Sequence, residues 1–348
     1  MNFELTVDQR SLASSIAEML KSELTPELLR EIAYGSQAFS RILWNAISLF
    51  GLPGLVVSEN FGGAGLGFIE AVIAIQQAGY TALPAPLQQH LVATLVIQNS
   101  CNETLKQQWL PKLASGNIIA GCGFETTSSI SRDATRCSLP WTGFSKDADV
   151  LLVSSLEKGI GIVDLRDTDV SMSETSSIDL TRPSQHVVLP RDAIQTLAGP
   201  TSQNVESAWR ILLASDSWGI TQYVLNTTCE YANTRRQFGR LIGEFQSVKH
   251  PLAEAAMNHK FAESLLWSSA SQWESANAGY EESALLCKAH VTELAISTIR
   301  VCIQLMGAYG FTWESDLHLW LKRAMFNAHH LGSPAETRSM LATVRGWR

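Results

Sequence analysis

Asn233-Thr-Arg-Arg-Gln-Phe-Gly-Arg-Leu-Ile-Gly-Glu-Phe-Gln-Ser-Val-Lys249 is the stretch from which the rest of the chain is best read. It places Arg235, Arg236 and Arg240 in one short loop of a protein whose formal net charge is −7. On its residues alone the loop is either a solvated charged turn or a local anion site, since the planar guanidinium fork suits phosphate oxygens. The flanks are helical in pattern. Before the loop, Trp209, Leu213, Ile220 and Val224 fall close to one face at the 3.6-residue period. Segments 204–232, 244–278, 282–307 and 315–331 each predict a long helix, with a shorter one near the C-terminus. Long amphipathic helices of this kind pack as an antiparallel bundle.

Working outward from the bundle, residues 118–198 hold short apolar runs separated by turn residues. Val150–Val153 and Ile160–Val163 flank Glu157-Lys-Gly159 and predict a hairpin, and His186–Leu189 is a further candidate strand. Residues 1–117 return to a helical pattern. Thr6 with Gln9 fits a capping box, and Thr25 before Pro26 marks a helix start. Gly51 and Gly79 are expected to end helices in a left-handed residue. Glu59-Asn-Phe-Gly-Gly-Ala-Gly-Leu-Gly67 reads as a glycine-rich connector. The expected architecture is mainly α with a small central β domain: an N-terminal helical domain (1–117), a reduced β domain of barrel or sandwich type (118–198) and a C-terminal four-helix bundle (199–348).

The bulk properties exclude several classes. Apolar residues make up 45% and charged residues 17% of the 348 positions, as in a soluble protein with a large buried fraction. Apolar runs fall short of the roughly 20 residues that span a bilayer, and the polar Met1–Gln9 stretch lacks the pattern of an export leader. The six cysteines are scattered, without a CxxC pair, which reads as reduced cytosolic thiols, with no metal site. The acidic balance argues against nucleic acid. A cytoplasmic protein with no membrane partner is expected.

Three ordered stretches resemble the acyl-CoA dehydrogenase family across nearly the whole chain. Leu49-Phe-Gly-Leu-Pro-Gly54, the 59–67 loop and Leu110-Pro-Lys-Leu-Ala-Ser-Gly116 are similar to its helical N-terminal domain. The 233–249 stretch resembles its Arg-x-x-Phe-Gly and later Phe-Gln signature. Gln304-Leu-Met-Gly-Ala-Tyr-Gly-Phe-Thr-Trp-Glu-Ser-Asp-Leu-His-Leu-Trp-Leu-Lys-Arg323 is similar to its Gln-x-x-Gly-Gly-x-Gly loop, with Ala308 at the second paired glycine. The resemblance implies an oxidoreductase that uses FAD to introduce an α,β double bond into an acyl-CoA thioester. It implies that Arg235 reaches the pyrophosphate of an FAD held mainly by a neighbouring subunit, that Phe238 packs on that cofactor, and that Gln246 lies near its adenosine half. It further implies that Gln304, Gly307 and Gly310 let the cofactor approach bare backbone, and that Arg210 contacts substrate.

The pattern departs from the family where the flavin ring and the catalytic base belong. Phe124-Glu-Thr-Thr-Ser-Ser-Ile-Ser-Arg-Asp133 stands for the family's ring-cradling loop and contains no glycine. Trp141-Thr142 comes too early to be its second ring segment. The glutamate that takes the α proton is expected directly before Arg210 or just before a glycine after the last long helix. Trp209 and Leu331 (or Gly332) stand there, and neither an indole nor an isobutyl group accepts a proton. Glu206 and Glu336 are the candidate replacements, weighed against surface or helix-start charges. Trp209 otherwise reads as a core aromatic, and the adjacent His329 and His330 as packing residues, since they diverge by about 100° on a helix.

These retentions and losses resemble the α2β2 heterotetrameric acyl-CoA dehydrogenases of bacterial steroid side-chain degradation, whose Phe-Thr-Trp-Glu-x-Asp-Leu-His-Leu run is similar to Phe311–Leu319. The implied partners are a paralogous subunit that brings ring site and base, a bulky acyl-CoA, and an electron-transfer flavoprotein as acceptor. Two other readings stay open: a homo-oligomeric dehydrogenase with a displaced base, and a non-catalytic scaffold.

Overall fold

The computed structural model describes residues 5–35, 39–126 and 133–347. Six helices come first: α1 (Val7–Glu23), α2 (Pro26–Tyr34), α3 (Arg41–Leu49), α4 (Phe68–Tyr80), α5 (Leu87–Gln98) and α6 (Glu103–Ala114). Strands β1 (Ala120–Phe124), β2 (Arg136–Gly143), β3 (Val150–Ser155), β4 (Gly159–Asp164), β5 (Ser171–Thr175), β6 (Ser184–Pro190) and β7 (Gln195–Thr196) follow. The C-terminal part is α7 (Ser202–Thr234), a small hairpin of β8 (Arg236–Gln237) and β9 (Arg240–Leu241), then α8 (Gln246–Glu274), α9 (Tyr280–Met306), α10 (Ala308–Phe311), α11 (Leu317–His329) and α12 (Pro334–Val344). The mainly helical class with a central sheet and long C-terminal helices is as the sequence predicts.

The helix starts are built as their residues dictate. Thr6 and Gln9 exchange side-chain and backbone bonds at 3.0 and 3.1 Å, and Thr25 Oγ1 accepts from the Leu28 N–H ahead of Pro26. Gly51 leaves α3 with φ +90°. Gly79 does not end a helix. It lies inside α4, where a Cβ would stand 2.1 Å from the Asp216 carbonyl oxygen, and one at Gly219 would stand 2.0 Å from that of Gln76. Glycine is therefore required at both places by backbone-to-backbone packing of α4 on α7.

The chain divides into two compact units. One comprises Met19–Ala71 and Pro84–Trp209 and holds the sheet, ordered β5-β6-β2-β1-β3-β4-β7. The predicted hairpin is β3–β4, with Ser155 opposite Gly159 and the turn closed by Gly159 at φ +72°. Cys137, Leu139, Leu151, Val153, Val163, Val187 and Leu189 fill its buried core, the inward set of alternating strands. β1 runs parallel to β3 and is fixed to α5 and α6 by the fully buried His90. Its Nε2 lies 3.1 Å from the Leu113 carbonyl, while the Ala120 N–H donates to Nδ1 at 3.2 Å. Burial brings this imidazole down to about 4, so it is neutral. The 59–67 loop folds back, with Ala64, Gly65 and Leu66 N–H groups bonded to the carbonyls of Gly54, Val57 and Leu55. It is a connector held by its own backbone.

The second unit comprises Met1–Glu18, Val72–Leu83 and Arg210–Arg348. A buried polar centre joins α7 to α11. Arg323 donates to Asp216 at 2.7 and 3.0 Å and to the Leu83 carbonyl at 3.0 Å, and Asn327 donates to Asp216 at 2.6 Å.

Candidate functional site

The arginine-rich stretch folds as an extension of α7. Arg236 pairs with Leu241 and Gln237 with Arg240, leaving Phe238 and Gly239 as the two turn residues at φ +53° and +80°. Positive φ at both centres is the turn that fits a two-residue hairpin. Phe-Gly is thus a turn signal that the sequence reading passes over. The Phe238 ring is 92% exposed at the hairpin tip, with Phe245 edge-on at 6.2 Å and Arg240 over the Phe245 ring at 4.0 Å.

Beside the hairpin a cavity of about 540 Å³ opens between the end of α7 and the α9–α10 junction. Arg235, Gln237, Tyr231, Gly307, Tyr309 and Glu314 are among its walls. Tyr231 and Tyr309 lie nearly parallel, 8° apart with centroids at 5.5 Å. Of the residues the sequence assigns to a cofactor, Arg235 and Gly307 line this cavity. Phe238, Gln246 and Gln304 do not line it but are exposed on the same hairpin, the first residue of α8 and the last turn of α9.

The two glycines of the 307–310 loop divide in role. Gly307 has φ +63° and ψ −141°, a backbone that excludes other residues, and a Cβ there would meet nothing within 4 Å. At Gly310 a Cβ would lie 2.6 Å from the Ile303 carbonyl oxygen. Gly310 therefore serves helix packing and does not offer bare backbone to a ligand, contrary to the expectation from sequence. An open guanidinium, an uncovered glycine backbone and an aromatic wall fit the diphosphate and adenosine portions of a dinucleotide cofactor. Sequence reasoning misses Tyr231, Tyr309, Gln237 and Glu314; the tyrosine in Gly-Ala-Tyr-Gly310 is the available signal.

Trp209, and Leu331 or Gly332, where the sequence places the expected base, carry no acid. Trp209 is 1% exposed and packs against Phe124, ring centroids 5.1 Å apart. Glu206 is half-buried one turn earlier on α7. Leu331 and Gly332 link α11 to α12 with φ +58° and +102°. Glu336 is exposed and completes a capping box with Ser333, whose N–H donates to its carboxylate at 2.7 Å. The Ser333 N–H and hydroxyl hold that carboxyl below its ordinary value. Arg210 does not line the cavity described above; it is buried, with Nη2 4.0 Å from Met340 Sδ on α12. His329 is exposed, and the His330 ring stacks on Phe326 at 5.2 Å. Among the described residues no cluster of His, Cys, Asp or Glu could hold a metal, and no helix is long and apolar enough to cross a membrane.

Of the ring-loop stretch, residues 127–132 lie outside the described residues. At its start, burial pushes the Glu125 carboxyl up, but bonds from Arg191, the Leu156 N–H and Ser155 outweigh this and hold it low. Arg191 Nη1 donates to Glu125 at 2.9 Å. Trp141-Thr142 lies within β2.

Residues 6–117 match the N-terminal domain of acyl-CoA dehydrogenases, and residues 207–344 match their C-terminal domain. The chain belongs to the acyl-CoA dehydrogenase family. Among relatives, acyl-CoA dehydrogenase IpdE2 of Mycobacterium tuberculosis is 26% identical over 330 residues, 94% of each chain. Among solved structures, the ChsE4-ChsE5 complex of M. tuberculosis superposes with a TM-score of 0.89 at 20% identity, over 99% of each chain. The Tcur3481-Tcur3483 steroid ACAD superposes at 0.88 with 22% identity, over 97% of this chain and 98% of that one. Both share the fold.

Proposed function

We propose that this acyl-CoA dehydrogenase is the subunit of a two-subunit enzyme that lacks its own catalytic base and completes the FAD site of a paralogous partner. Its substrate class is bulky, steroid-like acyl-CoA, as the steroid enzyme and the two-component complex among its structural relatives suggest. The observation that carries the reading is Phe238, an aromatic held 92% exposed by a left-handed turn beside the Arg235–Gly307 cavity. A ring presented this way is suited to being covered by something other than its own chain. Arg235 would bind the pyrophosphate, Phe238 would pack on the cofactor, and Gly307, Gln304 and Gln246 would flank the adenosine half. FAD, when bound, supplies the acceptor for the hydride that leaves the β carbon.

In this reading segments 1–117, 118–198 and 199–348 are the helical, β and bundle domains, and Arg210 contacts the acyl-CoA. The buried Trp209 and the Leu331 link support assigning the base to the partner, because an effective base is a carboxylate with a raised pKa in a dry pocket. Electrons then pass to an electron-transfer flavoprotein. The test is the visible spectrum of this chain purified alone and after co-expression with the paralogue. No flavin bands alone and one FAD per pair in the complex are expected. A yellow protein alone, bleached by an acyl-CoA, would overturn the proposal and move the search to Glu206.

A further inference from the structure

A lysine in a long amphipathic helix ordinarily carries its ammonium to water, yet Lys288, in the middle of α9, is 0% exposed. Its side chain crosses to the α11–α12 link, where Nζ donates to the Ala328 carbonyl at 3.1 Å and to the Gly332 carbonyl. Those two oxygens are its hydrogen-bond partners among the described residues. A neutral amine has two N–H groups and a lone pair, so two acceptors satisfy it. An ammonium has three, and a third left unmatched in a dry interior is costly.

The link it touches is under tension. Leu331, at φ +58°, is a side-chain-bearing residue in the left-handed region, and Gly332 follows at φ +102°. Such a conformation lasts only where the surroundings impose it. Here the Gly332 carbonyl is held from two sides, by Lys288 and by Thr337 Oγ1 at 3.2 Å.

We propose that Lys288 makes the α11–α12 link a proton-gated junction: the neutral amine closes it on the Ala328 and Gly332 carbonyls, and protonation opens it. The charges around Lys288 agree. Arg210 of α7 repels an ammonium there. Glu336 of α12 attracts it, but is solvent-exposed and engaged by Ser333, and His329 at the end of α11 acts on Glu336. Burial first, then Arg210, brings the amine from 10.5 to about 7 despite Glu336. An open link exposes the amine and restores its ordinary affinity, so the open form binds the proton more tightly and acid favours opening. Above about pH 7 closure strengthens about tenfold per pH unit; below it, both forms are protonated and the balance is flat. The gated segment carries Leu331, at the second of the family's base positions. The proposal does not depend on the FAD reading.

Hydrogen exchange of the amides at 329–333 tests this on the intact chain between about pH 6 and pH 9, each rate normalised to its unfolded value. Expected is protection that is constant up to about pH 7 and then rises about tenfold per unit. Lys288→Met, which can neither charge nor donate to the two carbonyls, should show protection without pH dependence and below that of the wild type at pH 9. Thr337→Val should lower protection at every pH with the slope kept. A wild-type profile that is flat, or that falls as pH rises as a permanently charged helix cap would give, overturns the proposal. That profile decides the matter even if Lys288→Met does not fold.

Discussion

The cavity beside the β8–β9 hairpin and the α11–α12 link belong to one unit and treat their polar groups in opposite ways. Around the cavity, Arg235, Phe238, Gln246, Gln304 and Gly307 are all exposed. Around the link, Arg210 and Lys288 are buried, and the acid Glu336 is engaged by the backbone. An aromatic left in water gains nothing for its own chain, whereas a buried cation must be satisfied within it. The contrast separates a surface that leaves its aromatic and polar groups to solvent from a link that engages buried and backbone groups of its own chain. Exposure at one and burial at the other is what the proposed division of labour between two subunits would leave.

The polar centre that ties α7 to α11 should give the largest effect. Asp216→Ala strands the buried Arg323 guanidinium and the Asn327 amide. Breaking a buried pair on one side costs about 3–5 kcal/mol, readable as a fall in the urea midpoint with the slope unchanged. A loss under about 1 kcal/mol would mean that water reaches Arg323, and the polar centre would no longer count as a buried pair. Next in size is Arg235→Ala, which touches no core. Stability should hold within about 0.5 kcal/mol. Retention of FAD by the co-expressed complex should weaken by about 1.5–3 kcal/mol, roughly ten- to a hundredfold, read from flavin fluorescence on dilution. Equal damage to stability would make Arg235 a structural residue and erase the contrast from the cavity side.

Much of this is legible in the chain itself, and what is not has physical reasons. The long helices declare themselves by period: 204–232 is expected and Ser202–Thr234 observed, 282–307 expected and Tyr280–Met306 observed. The β3–β4 hairpin is visible because glycine after two charged residues is a local signal. Gly79 misleads because close packing on Asp216 is tertiary and leaves no mark in the neighbouring sequence. Gly310 misleads for a related reason: its family motif implies cofactor contact, while its environment is the Ile303 backbone. Arg235 and Gly307 can be named from motif alone, but Tyr231 joins them only through the fold. Lys288 cannot be found at all, since nothing in its sequence neighbours distinguishes a buried lysine from a solvated one.

The smallest expected effect bears hardest on the closed end. Glu336 is the carboxylate nearest Leu331 in sequence, and if it were the base, the link would be the working centre. Its environment points the other way. A base for an α proton needs desolvation that raises its pKa, whereas the Ser333 N–H and hydroxyl lower that of Glu336. Glu336→Gln keeps an acceptor for the Ser333 N–H, so the capping box survives. At neutral pH the dehydrogenase rate of the complex should change by less than about twofold, against the roughly 10²–10⁴-fold loss that removal of a general base produces. The acid limb sharpens the point. A carboxyl with a depressed folded-state pKa contributes stability that is present above its unfolded value and lost as pH falls through the folded one. Wild type should therefore lose that contribution on acidification while the glutamine variant does not. A rate loss of about a hundredfold or more in a stably folded variant would turn the capping carboxylate into the base and reverse the roles of the two ends.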